Sequence, residues 1–180
     1  MDLLAVALGE AHFPTAALAF VTELATVLDC DRVSLGLLRG RHVALEAISH
    51  NAEVNEKMNL TAAIVLAMDE AILQRREVLY PAPADAEVLI DHHHEHLSRL
   101  QHQAVIAGFP LYQQGRYFGV LTCERPADSA FSSRDLEFIR AVAALVSPAL
   151  EAKERNDRPL WRTIKDAAKT QLDRLTGPGR

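Results

Sequence analysis

Cysteine is scarce in this chain: there are two in 180 residues, Cys30 and Cys123, far apart and in no spacing that a metal or redox motif uses. No disulfide framework is expected, which favours a reducing compartment. Positive charge is also short, with 19 Lys/Arg against 24 Asp/Glu and a net charge of −5. That excludes the broad electrostatic footprint of a nucleic-acid binder. No apolar run approaches the ~18 residues that a bilayer crossing needs. The apolar run at 16–21 and the Ala-x-Ala at 17–19 lack a basic region before them, and Asp2 and Glu10 stand there instead. A secretory signal is therefore excluded. Internal repeats and low-complexity stretches are absent, and the chain reads as soluble and cytoplasmic.

What is present is ordinary for a globular protein: 49% hydrophobic and 24% charged residues, enough to build a core. The length suits one domain, or one domain with an appendage. Charge is unevenly spread. Residues 151–180 hold eight Lys/Arg against five Asp/Glu, a net of +3, which leaves −8 for the first 150. The simple reading is an acidic globule with a basic tail.

The apolar spacing of Leu18, Val21, Leu24, Ala25 and Leu28 predicts a helix from Pro14 to Leu28. Arg32–Leu38 and His42–Ser49 alternate as strands around the turn Arg39-Gly40-Arg41. His50–Asn59 is polar and reads as a loop. Thr61–Arg76 follows as a helix with Ile64, Val65, Met68, Ile72 and Leu73 on one side and Asn59 or Thr61 as its cap. Glu77–Tyr80 is a short strand ended by Pro81-Ala82-Pro83, and Ala86–Gln103 is a further expected helix. Ser132 or Ser133 caps the last domain helix, which carries Leu136, Ile139, Val142, Ala143 and Val146 inward. Pro148 is expected to interrupt it late, and Asn156–Pro159 to break it. Beyond that break, Trp161, Ile164, Ala168, Leu172 and Leu175 fall at helical spacing.

The chain is organised around Ala104–Glu124, read as two strands and a tight turn. Ala104–Tyr112 is almost continuously apolar, as a strand covered on both faces should be. Gln113-Gln114-Gly115 makes the turn, with Gly115 supplying positive φ. In Arg116–Glu124, Tyr117, Gly119, Leu121 and Cys123 alternate with Phe118, Val120 and Thr122. Pro110 cannot donate to a ladder, so a bulge or a non-pairing position is expected there.

An apolar strand with an internal Pro, the Gly115-x-x-x-Gly119 turn, a Val-Leu strand and then Phe131-Ser132-Ser133-Arg134-Asp135-Leu136-Glu137 together resemble a GAF domain. The resemblance spans roughly residues 10–155. It implies an α/β (α+β) fold: a central antiparallel sheet flanked by helices on both faces, with a small-molecule pocket under the 61–76 and 86–103 segments. It divides the chain into a GAF domain, 1–155, and a basic amphipathic linker helix, 156–180. The closing Ser147-Pro148-Ala149-Leu150-Glu151-x-Lys153 and Arg158-Pro159-Leu160-Trp161 resemble the cytoplasmic N-terminal module of HlyD-type secretion or efflux adaptors. That implies a juxtamembrane place for the tail in a longer protein, with membrane contact only through segments beyond Arg180.

Five of the eight histidines lie within His92–His102. On a helix through this stretch, His93, His96, Leu97 and Leu100 share one face, which sets His93 and His96 at the pocket's border. They would bind an anionic or carbonyl ligand, ligate a metal or haem iron, or simply decorate a solvated helix. A metal needs a third ligand, and no metal site is assigned. Tyr112, Tyr117 and Phe109, with Phe118, form the expected opposite wall, where aromatics stack on a flat ligand or serve as plain core. Leu100 completes the ligand-binding set. The GAF types that bind bilins through a Cys, bind cyclic nucleotides or reduce methionine sulfoxide have motifs that this sequence lacks, and no Ser sits on a Gly-flanked elbow. The expectation is a non-enzymatic sensory or regulatory module that binds a small molecule of unassigned identity, with no cofactor named, and forms a homodimer. A structural dimerisation domain with a self-filled pocket is the second reading, followed by a haem- or metal-binding sensor and a cofactor-dependent redox domain.

Overall fold

The computed structural model describes Ala5, residues 9–49 and residues 57–175, with side chains as far as Asp157. A five-stranded antiparallel sheet forms the middle layer, in the order β2-β1-β5-β4-β3. Its strands are β1 (Arg32–Arg39), β2 (His42–Ile48), β3 (Val78–Tyr80), β4 (Val105–Gln113) and β5 (Arg116–Arg125). Helices α1 (Phe13–Leu28) and α4 (Ser133–Leu175) cover one face, and α2 (Lys57–Gln74) and α3 (His92–Leu100) the other. This is the expected α+β sandwich of helix, sheet and helix.

Each layer forms because the apolar period of each segment matches its element. On the α1/α4 side, Phe20, Leu24, Leu35, Leu121, Ile139 and Leu150 are among the fully buried side chains. On the α2/α3 side, Ile64, Met68, Leu97, Ile106 and Val120 fill the space between helices and sheet. Ser132 closes the start of α4: Asp135 accepts from its backbone N–H at 2.9 Å, and its hydroxyl accepts from the Asp135 N–H at 3.2 Å. Arg125 buttresses the same corner, donating to Asp135 at 3.0 Å and to the Leu28 carbonyl.

Several expectations are corrected. α2 begins by Lys57, so Asn59 and Thr61 lie inside it and do not cap it. Leu18 and Leu73, placed on inward faces by period alone, are exposed. The 86–103 helix is only His92–Leu100, because Val88 and Ile90 find nothing to bury against and stay exposed. Of the His50–Asn59 loop, residues 50–56 lie outside the described residues, and 57–59 are helical. The backbone of α4 is helical from 133 to 175, through Pro148 and through the expected break at 156–159.

Pro110 pairs with Val120 in register, and β3 ends at Val78 opposite Gly108. Pro110 thus sits where β4 has no neighbour on its outer side, so its missing N–H costs no ladder bond. The bulge comes one residue later, between Leu111 and Tyr112, and leaves Phe118 as the extra residue. It resets the alternation of β5: Tyr117 and Val120 face α2, whereas Phe118 and Leu121 face α1. Gln114 and Gly115 both have positive φ, +50° and +82°, making a two-residue hairpin turn.

Gly119 is required for a different reason. A Cβ there would stand 2.5 Å from the Gly36 carbonyl oxygen on β1, which is backbone and cannot yield. Gly119→Ala is expected to destabilise the fold by about 2 kcal/mol or more. Gly115→Ala, which meets open space, is expected to cost about 1 kcal/mol through φ alone. Urea denaturation of the two variants checks the order, and a Gly119→Ala protein as stable as wild type contradicts it.

Candidate functional site

The α2/α3 face of the sheet carries a polar floor among apolar neighbours. Ser34, Thr122 and Gly108 stand side by side across β1, β5 and β4, and Arg32, Glu124 and Ile106 form the next row. Cross-strand neighbours of this kind lie about 5 Å apart, so the two rows form one compact patch. Arg32 donates to Glu124 at 2.9 Å and to Gln101, at the end of α3, at 3.0 Å.

His94 hangs over this floor from α3. It is fully buried, and a Cβ on Gly108 would stand 2.6 Å from its Nε2. Only a residue without a side chain lets the ring sit so low. The ring is held from behind by Glu70 of α2, whose carboxylate lies 2.7 Å from Nδ1. The same carboxylate accepts from the His93 and His94 backbone N–H groups, at 2.9 and 3.2 Å. Glu70 thus caps α3 from another helix, where Asp91 offers no side-chain cap. Glu70 holds the Nδ1 side of the ring, which leaves Nε2 facing the floor.

Six buried side-chain polar atoms make no hydrogen bond among the described residues, and five of them belong here. They are Arg32 Nε, Ser34 Oγ, Thr122 Oγ1, Glu124 Oε1 and His94 Nε2. An unpaired buried polar atom costs about 1–3 kcal/mol, so five in one patch set this floor apart from the apolar core around it. Burial pushes the Glu124 carboxyl up to about 7, despite Arg32 beside it. Burial also opposes charge on Glu70, but the His94 ring and the two α3 N–H groups together hold its carboxyl below the usual range.

Of the six residues expected to bind ligand, none lies in this patch. His96 and Leu100 are exposed, and His93 is half-buried with its ring beside His92. The inward face of α3 is His94, Leu97 and Ser98, one residue out of phase with the expected face. Phe109 is buried on the opposite side of the sheet, in the α1/α4 core. Tyr112 and Tyr117 do meet, edge to face with centroids 4.9 Å apart, but in a separate groove at the hairpin end. Among the described residues, no three His, Cys, Asp or Glu side chains are grouped as a metal ion needs.

The two cysteines meet in space, as free thiols on the α1/α4 side and away from the polar floor. A hydrogen bond from Cys123, with the Arg125 guanidinium nearby, draws the Cys30 thiol below its ordinary range. The Cys30 sulfur and burial raise that of Cys123.

A family model for the GAF domain matches residues 13–150, which span all five strands and the domain part of all four helices. The chain belongs to the GAF domain family. Its fold is similar to that of the GAF domain from an Acinetobacter phosphoenolpyruvate-protein phosphotransferase, with a TM-score of 0.62 and 14% identity over 87% of this chain and 92% of that one. The free methionine-R-sulfoxide reductase from Neisseria meningitidis, solved with its substrate, matches at 0.58 and 14%, over 86% and 87%. A bacteriophytochrome from R. palustris matches at 0.59 and 12%, over 99% of this chain and 41% of that one. At such identities the likeness is one of fold. Comparison with curated proteins found no match.

In this GAF domain, pH reports on the floor. Folded Glu124 holds its proton to about 7, against 4.5 for an ordinary Glu, so the folded state binds more protons between those values. Stability is expected to fall, by on the order of 2 kcal/mol, as pH rises from about 4.5 to about 7. Glu70 and Asp135 act oppositely at lower pH: their depressed carboxyls stabilise the fold above the unfolded values and lose that effect as pH falls, Asp135 down to about 2. Denaturant titrations from pH 5 to 8 should show the decline, and Glu124→Gln should flatten it. An equal slope in the variant contradicts the assignment.

Proposed function

We propose that this GAF domain is a non-enzymatic sensory or regulatory module whose ligand is a small, neutral or cationic hydrogen-bonding molecule held on the Ser34–Thr122 floor. The observation that carries this reading is the set of five buried, unpartnered polar atoms from β1, β5 and α3. Their chemistry describes the complement. A ligand donor answers Glu124 Oε1, a ligand acceptor answers Arg32 Nε, and His94 Nε2 and the Ser34 and Thr122 hydroxyls serve either role. Amides, ureas, amines and polyols fit that pattern. An isolated anion does not, since Glu124 and Glu70 border the site.

The self-filled reading accounts for the apolar half of the same space, where Ile64, Met68 and Leu97 pack on Ile106 and Val120. It leaves the polar floor without a purpose. The cysteines lie on the far side of the sheet from that floor, which supports a binding role for this face over thiol chemistry.

The transmitting element in this reading is α4. Phe138, Ala141, Leu145, Pro148 and Ala152 are all exposed along it, at spacings of three and four, as in the seam between two paired helices. A second copy of the chain is the occupant that this stripe fits, because a two-fold pair of such helices is self-complementary. The helix continues to Leu175, and residues 151–180 carry a net +3. Both features support a juxtamembrane position on the cytoplasmic side of a longer, membrane-anchored adaptor.

Thermal-shift measurements against a panel of small amides, amines and polyols test the site. At least one compound is expected to raise the Tm of the wild type and to leave Ser34→Ala/Thr122→Val unmoved. That variant should be no less stable unliganded, because it removes hydroxyls that have no partner. A ligand that stabilises both proteins equally binds elsewhere and sinks the proposal.

Light scattering tests the seam. The expected mass is about twice 19.9 kDa, and Leu145→Asp should shift it to the monomer without loss of helical signal. A wild-type monomer at micromolar concentration contradicts the dimer.

A further inference from the structure

A second feature lies at the other end of the sheet. A groove of about 680 Å³ opens between the β1–β2 turn, the end of α2 and the β4–β5 hairpin. That volume is in the range of about 300–1,000 Å³ usual for sites of drug-sized ligands. Tyr117 stands five residues along β5 from Thr122, or about 16 Å, so the groove is separate from the polar floor.

The groove's charge runs against that of the chain. Its lining contains Arg41, Arg75 and Arg116 and no acidic residue, although acids outnumber bases by five overall. Arg116 is committed to Glu151 of α4. Arg41 and Arg75 have no carboxylate partner among the described residues. Two guanidiniums are therefore left to face whatever enters.

Aromatic and apolar groups lie next to them. Tyr117 is fixed by its hydroxyl, which donates to the Arg75 carbonyl at 3.3 Å, and by Tyr112 against its ring. The Arg75 guanidinium carbon lies 5.9 Å from the Tyr117 centroid, so charge and ring are presented together. Leu73, three-quarters exposed, supplies an apolar shelf beside them.

From this geometry we infer that the groove is a second binding site, for a flat organic anion. The carboxylate or phosphate of the ligand sits on Arg41 and Arg75, and its ring lies against Tyr117 and Leu73. Guanidinium forks match both anionic groups, and a planar body suits the aromatic edge. The site stands independently of the ligand proposed for the polar floor.

Isothermal titration calorimetry of the full chain with 2-naphthoate, 2-naphthyl phosphate and neutral 2-naphthamide tests this. Both anions are expected to bind, and the amide to bind at least about tenfold more weakly. Arg41→Gln/Arg75→Gln should lose about tenfold or more of the affinity for the anions, with unchanged circular dichroism. Arg99→Gln, on the exposed side of α3, should bind as the wild type does. Tighter binding of the phosphate than of the carboxylate assigns a phosphorylated natural ligand, and the reverse order a carboxylic acid. Equal binding of the amide, undiminished binding by the double variant, or no binding of either anion overturns the inference.

Discussion

The contact between Glu70 and His94 is the interaction on which the α2/α3 side of this domain depends. One buried carboxylate holds the His94 ring and receives the first free N–H groups of α3. It thereby joins two helices, sets the rotation of α3, and points Nε2 at the sheet. A nine-residue helix with four histidines in its sequence has little intrinsic reason to form. Leu97 in the core and Glu70 at its start are what define it. Without the carboxylate, a buried imidazole and two N–H groups would be left unpaired together, a loss of several kcal/mol by ordinary hydrogen-bond costs.

The two faces of the sheet divide the remaining work. The α1/α4 face is closed and apolar, with Phe20, Leu24, Leu121 and Ile139 excluded from solvent. That face supplies stability and joins the sheet to the long α4 helix. Opposite it, the same strands alternate polar side chains into a buried layer, which no stability argument asks for. A GAF fold tolerates this because its antiparallel ladder satisfies the backbone regardless of which side chains point inward. Chemistry can then be written on the α2/α3 face without cost to the other. His94 and Gly108 meet with no space to spare, which fixes α3 against β4 on this face.

Much of the fold was legible in the sequence, because period and turn chemistry are local. The hairpins at Gly40 and Gly115, the helix from Pro14 and the inward residues of the last helix follow from spacing alone. The α3 phase did not. Reading a helix from Ala86 put His93 and His96 inward, whereas Leu97 and Glu70 select His94. Glu70 lies more than twenty residues away, so no local pattern could choose between neighbouring histidines. Pro110 signalled a bulge, but not its place one residue on, at Leu111/Tyr112, where it moved Phe118 to the other face. A signal for the polar floor did exist. Ser34 between Val33 and Leu35, and Thr122 and Glu124 around Cys123, are polar residues on inward positions of central strands. Their meaning needed the register that sets them side by side. Continuity of α4 through 156–159 also escaped sequence reasoning, since a helix can carry Pro where neighbours relieve the lost bond.

The most direct test of the floor as a ligand site is a crystal structure that resolves ordered solvent. The expected result is continuous non-protein density within hydrogen-bond distance of Ser34 Oγ, Thr122 Oγ1 and His94 Nε2, from a bound molecule or from waters holding its place. The contradicting result is a dry patch in which the hydroxyls turn onto backbone carbonyls, Glu124 pairs through both oxygens and His94 leaves Gly108. The five atoms would then be satisfied by the protein itself, and nothing would remain for a ligand to complete.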